Sequence, residues 1–132
     1  MIKRVDHICI AVKSIDETLG VLNSVFGFKA SHTETLPDQG VKAVLIPIGD
    51  GEIELIEPTD PEGGVAKFIE RRGEGVHHIC LEVDNIDEEL KSLAAKGVEL
   101  IDKQPRKGLA GMIGFVHPRS TKGVLIELAQ KV

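Results

Sequence analysis

Two histidines and two glutamates recur at matching places in the chain, and their types suit metal binding. His7 lies 47 residues before Glu54, and His78 lies 49 residues before Glu127. Imidazole nitrogens and carboxylate oxygens together suit Zn, Co, Ni, Mn or Fe(II), and this donor set does not choose among them. The four residues predict one site for a divalent metal ion, with room for water or substrate oxygens.

The alternative is that each of these residues has an ordinary structural role. A single histidine or glutamate in a strand is more often hydrogen-bonded or exposed to solvent than bound to a metal. However, both residue types occur twice at nearly equal spacing, and a carboxylate flanked by apolar strand residues is costly to bury unless it is paired or metal-bound. We therefore favour the metal interpretation.

An internal repeat explains the spacing. The segment from Val5 to Leu19, VDHICIAVKSIDETL, aligns with the segment from Val76 to Leu90, VHHICLEVDNIDEEL, with nine identities in fifteen positions, where ordinary residue frequencies give about one. Side chains alternate across a strand, so His7 and His78 occupy equivalent positions and His77 points the opposite way. The chain therefore contains two copies of one structural unit.

Each copy has the pattern of a strand, a helix and three further strands. N-cap and capping-box spacing predicts helices at Ile15 to Phe26 and Ile86 to Lys96, ended by glycines. Apolar and β-branched runs predict the strands, and they are Arg4 to Val12, Phe28 to Thr35, Val41 to Ile48, Glu52 to Glu57, Val76 to Val83, Val98 to Ile101, Met112 to Val116 and Val124 to Ala129.

This order predicts an α+β fold in which two tandem βαβββ modules form a paired, barrel-like mixed sheet around a metal cavity. At 132 residues the chain fits a single domain. The first module spans about residues 4–58, a linker with a short helix about 59–73, and the second module about 74–130. If the modules face each other, both His/Glu pairs converge on one cavity.

Composition excludes several other classes of protein. Sixteen basic and 21 acidic residues give a net charge of −5, and the chain has neither Trp nor Tyr, so nucleic acid is not an expected partner. No apolar run is long enough for a membrane helix, and no targeting segment is evident, which predicts a cytoplasmic protein. Cys9 and Cys80 lie in apolar runs and are interpreted as reduced core thiols.

One segment departs from the acidic average. Between Lys103 and Gly123 there are five basic residues and no Asp or Glu. This segment therefore either receives an anionic ligand or forms a solvated face. Among the remaining histidines, His32 is expected at the surface, His117 in a turn before Pro118, and His77 in a packing position.

Several motifs together carry a resemblance to a known family. They are the strand DHICIAV from Asp6, QGV from Gln39, IELIEP from Ile53, AKFI from Ala66, GVHHIC from Gly75, and His117-Pro118 followed by GVLIEL from Gly123. Over essentially its full length the chain resembles the vicinal oxygen chelate (glyoxalase-like) superfamily and, within it, the methylmalonyl-CoA epimerase family. The double histidine and the GVLIEL ending are the specific parts.

The resemblance implies interconversion of the 2R and 2S forms of methylmalonyl-CoA through proton exchange at C2. It implies His7, His78 and Glu127 as metal ligands, with Glu54 at a fourth position, and Glu127 also as the proton shuttle. It also implies an acyl-CoA substrate and a homodimer. Some relatives carry a glutamate, proposed as a base, where this chain has Ala43, so the second base is unassigned.

Three other functions remain open at this level. A lactoylglutathione lyase has a similar His/Glu ligand set and also moves a proton through an enolate-like state. A ring-cleaving dioxygenase uses two histidines and one carboxylate on iron. A metal-free binding module on the same duplicated scaffold would have no reason to repeat the His/Glu pair.

Overall fold

A computed structural model describes residues 1–109 and 111–131 of the chain. Ala110 and Val132, which the predicted domain 1–132 includes, lie outside the described residues. The chain divides into two compact units. One unit is His7–His77, and the other combines Met1–Asp6 with the residues from His78 onward.

Each half of the chain follows the order strand, helix, three strands, which confirms the predicted α+β class and the βαβββ modules. The strands are β1 (Ile2–Ala11), β2 (His32–Leu36), β3 (Val41–Ile48), β4 (Gly51–Pro58), β5 (Gly75–Val83), β6 (Arg106–Gly108), β7 (Gly111–Val116) and β8 (Ile126–Gln130). The helices are α1 (Ile15–Phe26), α2 (Gly64–Arg72) and α3 (Ile86–Ala95), and two 3-10 turns lie at Pro37–Gln39 and Pro118–Thr121.

In the unit His7–His77 the strand order is β2-β3-β4-β1. β1 pairs with β4 in parallel, and the other two pairs are antiparallel. A buried cluster that includes Val12, Ile15, Val44, Ile46 and Leu55 packs the sheet against α1. Because side chains alternate along a strand, the residues between these positions point to the opposite face, which we call the first site face.

In the other unit the strand order is β5-β8-β7-β6, and β5 pairs with β8 in parallel. Its buried cluster includes Val83, Ile86, Leu90, Val116 and Leu128, which pack the sheet against α3. The second half therefore repeats the pairing pattern of the first. The sheet face opposite this cluster is the second site face.

The two long helices begin as their caps predict. The Ser14 hydroxyl accepts a hydrogen bond from the Glu17 amide, and the Asn85 side-chain oxygen accepts one from the Glu88 amide, both at 3.1 Å. These bonds satisfy amides that the first helical turn leaves without a backbone partner. The bounds of α1 are those predicted, whereas α3 ends at Ala95, one residue before the prediction.

The predicted strand from Val98 to Ile101 is wrong. Only a single bridge, between Leu100 and Val116, forms there. The Asp102 carboxylate accepts the Phe115 amide hydrogen bond at 2.8 Å, which removes a donor that a continuing ladder would use. The second strand of the second module is instead β6, which pairs with the start of β7.

The strand predicted to start at Phe28 begins later, at His32. Phe28 remains attached to the end of α1, because its carbonyl accepts a hydrogen bond from the Asn23 side chain at 3.0 Å and its ring stacks on Phe26. β3 has the predicted bounds, and the remaining strands differ from theirs by one or two residues at one or both ends. Such shifts are common where strands fray.

The structure bears on two further predictions. Cys9 and Cys80 are both fully buried, as expected of core side chains. Within residues 1–109 and 111–131, no helix has the length and apolar character needed to cross a membrane.

Candidate metal centre

The first His/Glu pair is built by the parallel pairing of β1 with β4. Cys9 lies opposite Glu54 in this ladder, and His7 precedes Cys9 by two residues, so all three point to the first site face. The His7 Nε2 atom lies 3.3 Å from the Glu54 Oε1 atom. Both residues are buried, with 6% and 7% of their surface exposed.

The second pair repeats this arrangement on β5 and β8. Cys80 lies opposite Glu127, and His78 precedes Cys80 by two residues. The His78 Nε2 atom lies 2.9 Å from the Glu127 Oε1 atom. The residues are 7% and 5% exposed. The sequence repeat is therefore preserved as a repeat of side-chain geometry, including the register of the strands.

This arrangement fits a divalent cation. Each pair brings an imidazole nitrogen and a carboxylate oxygen together at a buried position, and these are the donor atoms that borderline divalent metals accept. A carboxylate and an imidazole that lie together at a buried position can both direct lone pairs at one cation. Each half thus offers two ligand atoms, and a bound ion would satisfy both.

Apolar side chains lie next to both pairs. In the β3–β4 ladder Leu45 is opposite Glu54, and in the β7–β8 ladder Phe115 is opposite Glu127. The Phe115 ring meets the His78 ring edge-on, with centroids 5.3 Å apart. Apolar neighbours lower the local polarity, which strengthens the interaction of a carboxylate with any cation.

The sequence analysis did not identify Asp6 as a buried charge. Asp6 is 2% exposed, and its Oδ1 atom lies 3.2 Å from Arg4 Nη1 and 2.7 Å from Lys131 Nζ. Arg4 also contacts Glu82 at 3.1 Å. This network lies within the unit formed by Met1–Asp6 and the residues from His78 onward. The only signal in the sequence was a charged residue within the apolar strand that carries His7.

The basic segment is less positive than its composition suggests. Arg106 donates a hydrogen bond to Asp102 at 2.9 Å, and Arg119 donates one to Glu99 at 3.0 Å. Each arginine is therefore paired with an acidic residue that lies just before the basic segment in the sequence. The lysines of the segment are exposed, and they are Lys103, Lys107 and Lys122.

The remaining histidines lie where the sequence placed them. His32 is exposed on β2, and its Nε2 atom lies 3.4 Å from the Glu34 carboxylate. His117 accepts the Arg119 amide hydrogen bond and so starts the turn at Pro118. His77 packs edge-on against the Phe68 ring at 4.8 Å. None of these three belongs to the two buried His/Glu pairs.

The chain was compared with known proteins. A model of the "Glyoxalase/Bleomycin resistance protein/Dioxygenase superfamily" matches residues 6–115. The uncharacterized protein YqjC of Bacillus subtilis is 40% identical over 96% of this chain and 91% of that protein. The mitochondrial methylmalonyl-CoA epimerase of Dictyostelium discoideum is 35% identical over 98% of this chain and 80% of its own length.

Solved structures give the same result. A methylmalonyl-CoA epimerase in complex with methylmalonyl-CoA and NH4+ superimposes with a TM-score of 0.95 and 34% identity, and the match covers 100% of this chain and 96% of that one. The resemblance found in the sequence motifs is therefore confirmed across the whole length of the chain.

Proposed function

Because the chain belongs to the glyoxalase/bleomycin resistance protein/dioxygenase superfamily and, within it, to the methylmalonyl-CoA epimerase family, we propose that it interconverts (2R)- and (2S)-methylmalonyl-CoA. The reaction is proton removal at C2 and proton return on the opposite face. The observation that carries the proposal is the buried His/Glu pair, repeated with the same strand register in each half.

The proposed metal ligands are His7, Glu54, His78 and Glu127. Each half supplies one nitrogen and one oxygen, and the sequence repeat predicts that both pairs serve a single ion. A divalent ion at this position would supply positive charge for the oxygen of a thioester enolate. The donor set accepts Co, Mn, Zn, Ni or Fe and does not select one.

Glu127 is the proposed proton-transfer residue. Its carboxylate lies 2.9 Å from the His78 ring and beside the Phe115 position, in a buried environment. An α-proton next to a thioester is weakly acidic, so its removal needs a positioned base as well as charge stabilisation of the enolate oxygen. Glu127 then exchanges the proton on one face of C2.

The exposed lysines of the basic segment are the proposed contacts for the CoA phosphates. Lys103, Lys107 and Lys122 carry no acidic partner at salt-bridge distance within the described part of the chain, in contrast to Arg106 and Arg119. Phosphate groups bind such exposed ammonium groups through charge. A homodimer is the oligomeric state that the family resemblance suggests.

The test combines turnover with metal analysis. Purified protein is incubated with each C2 epimer of methylmalonyl-CoA in D2O, and we expect inversion with deuterium uptake at C2. Elemental analysis is expected to give one divalent ion per chain, and less in His7→Ala and His78→Ala. Two ions per chain would contradict the shared site.

A lactoylglutathione lyase is the main competing function. Its substrate, the glutathione hemithioacetal, is offered to the same preparation under the same conditions. Isomerisation of that substrate, with no deuterium uptake by methylmalonyl-CoA, would overturn the proposed epimerase. A protein that binds no metal and turns over neither substrate would favour a binding module.

A further inference from the structure

A phenylalanine lies beside the second His/Glu pair on the second site face. Phe115 is directly opposite Glu127 in the β7–β8 ladder, and directly opposite residues share a face of the sheet. The Phe115 ring meets the His78 ring at an interplanar angle of 87°, with centroids 5.3 Å apart. Aromatic rings favour this edge-to-face arrangement. Phe115 therefore contacts the imidazole of one proposed ligand and lies next to the position of the other.

An arginine on β6 contacts the Phe115 ring in turn. Arg106 is opposite Ile113 in the β6–β7 ladder, and Ile113 precedes Phe115 by two residues, so Arg106 lies on the same face of the sheet. The guanidinium carbon lies 5.6 Å from the centre of the Phe115 ring. At this distance a cation is attracted by the electrons of the ring. The guanidinium therefore limits the movement of the ring.

One carboxylate fixes both members of this contact. Asp102 Oδ1 accepts a hydrogen bond from Arg106 Nε at 2.9 Å, and Asp102 Oδ2 accepts one from the Phe115 amide at 2.8 Å. The bond between the two charged groups is of the stronger, charge-assisted kind. Asp102, Arg106 and Phe115 belong to the same compact unit as His78 and Glu127. We call these three residues the Phe115 clamp.

The orientation of the His78 ring decides where its nitrogen points. The torsion angle that turns an imidazole about its bond to Cβ has broad minima, so a ring without a close neighbour can rotate. The His78 Nε2 atom lies 2.9 Å from Glu127 Oε1, and rotation would move the two donor atoms apart. A neighbour that restricts the ring keeps both donors together and reduces the ordering that binding must impose.

From these contacts we infer that the Phe115 clamp positions the His78 imidazole for metal binding. The inference rests on the proposed metal site and names residues that orient one of its ligands. Phe115 touches the ligand itself, whereas Arg106 and Asp102 act through Phe115. Arg106 is thereby assigned to the metal centre, in contrast to the exposed lysines of the basic segment.

The first half of the chain has a leucine at the corresponding place. Leu45 is opposite Glu54, as Phe115 is opposite Glu127. Leucine has no ring to set edge-on against an imidazole, and His7 Nε2 lies 3.3 Å from Glu54 Oε1. The clamp is thus an addition to the repeat. Phe115→Leu gives the second half the residue type that the first half has, and this substitution is the main test.

The chain also contains a matched control. On α2 the guanidinium carbon of Arg72 lies 5.8 Å from the centre of the Phe68 ring, and that ring meets the His77 ring at 4.8 Å. The same three residue types are in contact there, but His77 is not a proposed ligand. Phe68→Leu therefore removes an equivalent aromatic contact from a histidine that has no part in the metal site.

The experiment measures the affinity for Co²⁺ by competition with a coloured chelator. Phe115→Leu is expected to weaken binding about 10-fold or more, since the loss of a residue that orients a metal ligand costs about 10–100-fold. Arg106→Gln should weaken it about 2–5-fold, the size expected of an exposed cation–π contact. Phe68→Leu should match the unmodified protein. So should Arg119→Gln, which removes an exposed arginine from the same segment.

Spectroscopy separates positioning from a general loss of structure. The visible absorption of bound Co²⁺ depends on the geometry of its ligands, so the bands should change in Phe115→Leu. Phe115→Tyr keeps the ring and should restore both the affinity and the bands. In the metal-free protein the ring current of Phe115 displaces the NMR resonances of the His78 ring protons. That displacement should be smaller in Arg106→Gln, in which the phenylalanine is retained but less restricted.

The outcomes separate this inference from the proposed function. If the unmodified protein binds no Co²⁺, the proposed metal site fails and the inference fails with it. If Phe115→Leu and Arg106→Gln bind Co²⁺ as tightly as the unmodified protein, the clamp has no positioning role, while the metal site stands. An equal loss of affinity in Phe68→Leu would also overturn the inference. The expected losses in a protein that exchanges no proton at C2 would support the clamp and refute the epimerase.

Discussion

The Ile15 amide donates a hydrogen bond to the Glu57 carboxylate at 2.8 Å. This bond joins the first residue of α1 to β4. Glu57 follows Glu54 by three residues on that strand. The second half has the same arrangement, because the Ile86 amide donates to the Gln130 side-chain oxygen at 3.0 Å. Each helix start is thus fixed to the strand that presents a glutamate of a His/Glu pair.

This relationship predicts that Glu57→Ala destabilises the protein. The Ile15 amide would lose an acceptor at a partly buried position, at a cost of about 1–2 kcal/mol in the free energy of unfolding. Urea denaturation measures this difference. Glu57→Gln is the matched control, since Gln130 already serves the equivalent position, and it should lose less. Equal stability of Glu57→Ala and the unmodified protein would contradict the role of the bond.

The repeat made much of the fold predictable. Ser14 and Asn85 start helices because their side-chain oxygens accept a hydrogen bond from the amide three residues later. Such a bond needs only residues within one helical turn. The segment from Val98 to Ile101 looked like a strand by composition, but a contact between Asp102 and the Phe115 amide redirects it. Local signals were therefore sufficient for the helices, and tertiary contacts decided this strand.

The site was predictable in part, for a related reason. The two His/Glu pairs were found because the same residue types recur, and the structure brings each pair together. The burial and pairing of Asp6 could not be predicted, because its partner Lys131 lies at the other end of the chain. The repeat gave no help, since the position equivalent to Asp6 is a histidine, His77. Pairing across such a distance leaves no local pattern in a single sequence.

Asp6 provides a second prediction about stability. Asp6→Asn keeps the shape of the side chain but removes the charge that Arg4 and Lys131 share. Because the carboxylate is 2% exposed, we expect a loss of about 2–3 kcal/mol in the free energy of unfolding. Lys131→Gln should cost less, because Lys131 is partly exposed and Arg4 remains. A larger loss in Lys131→Gln than in Asp6→Asn would contradict this ranking.

The N-terminal ammonium gives a prediction about pH. Its hydrogen bonds to Asp84 and then to Glu89 raise the pKa of the Met1 ammonium above its ordinary value of 8.0, and the same contact lowers the pKa of Asp84 below 3.8. The ammonium contribution to stability is thus complete below pH 8.0 and is lost as pH rises through the raised pKa. The carboxylate contribution is present above pH 3.8 and is lost as pH falls through the lowered pKa.

Thermal unfolding between pH 7 and 11 tests the alkaline part. We expect the melting temperature of the unmodified protein to fall across this range more than that of Asp84→Asn, which removes the main partner of the ammonium. The difference should be small, because the pair is exposed and salt screens it. Parallel curves for both proteins would show that the contact does not contribute.

Metal binding should also be visible in stability. An ion that binds only the folded protein raises its free energy of unfolding, by about 2.7 kcal/mol at a concentration 100 times the dissociation constant. Adding a chelator should therefore lower the melting temperature of the unmodified protein, and His78→Ala should respond much less. His117→Ala is the control, because His117 also faces a glutamate, Glu99, but at the surface. An equal response to the chelator in His78→Ala and the unmodified protein would argue against His78 as a ligand.

The basic segment gives a prediction about substrate binding. If Lys103, Lys107 and Lys122 contact the CoA phosphates, replacing each by Gln should raise KM for methylmalonyl-CoA about 2–5-fold with kcat little changed, since exposed charge contacts contribute about 0.2–1 kcal/mol. The effect should shrink at high salt. It should also disappear with methylmalonyl-pantetheine, which lacks the nucleotide phosphates. Lys91→Gln, on the exposed side of α3, is the control, and an equal rise in its KM would show that the segment has no specific role.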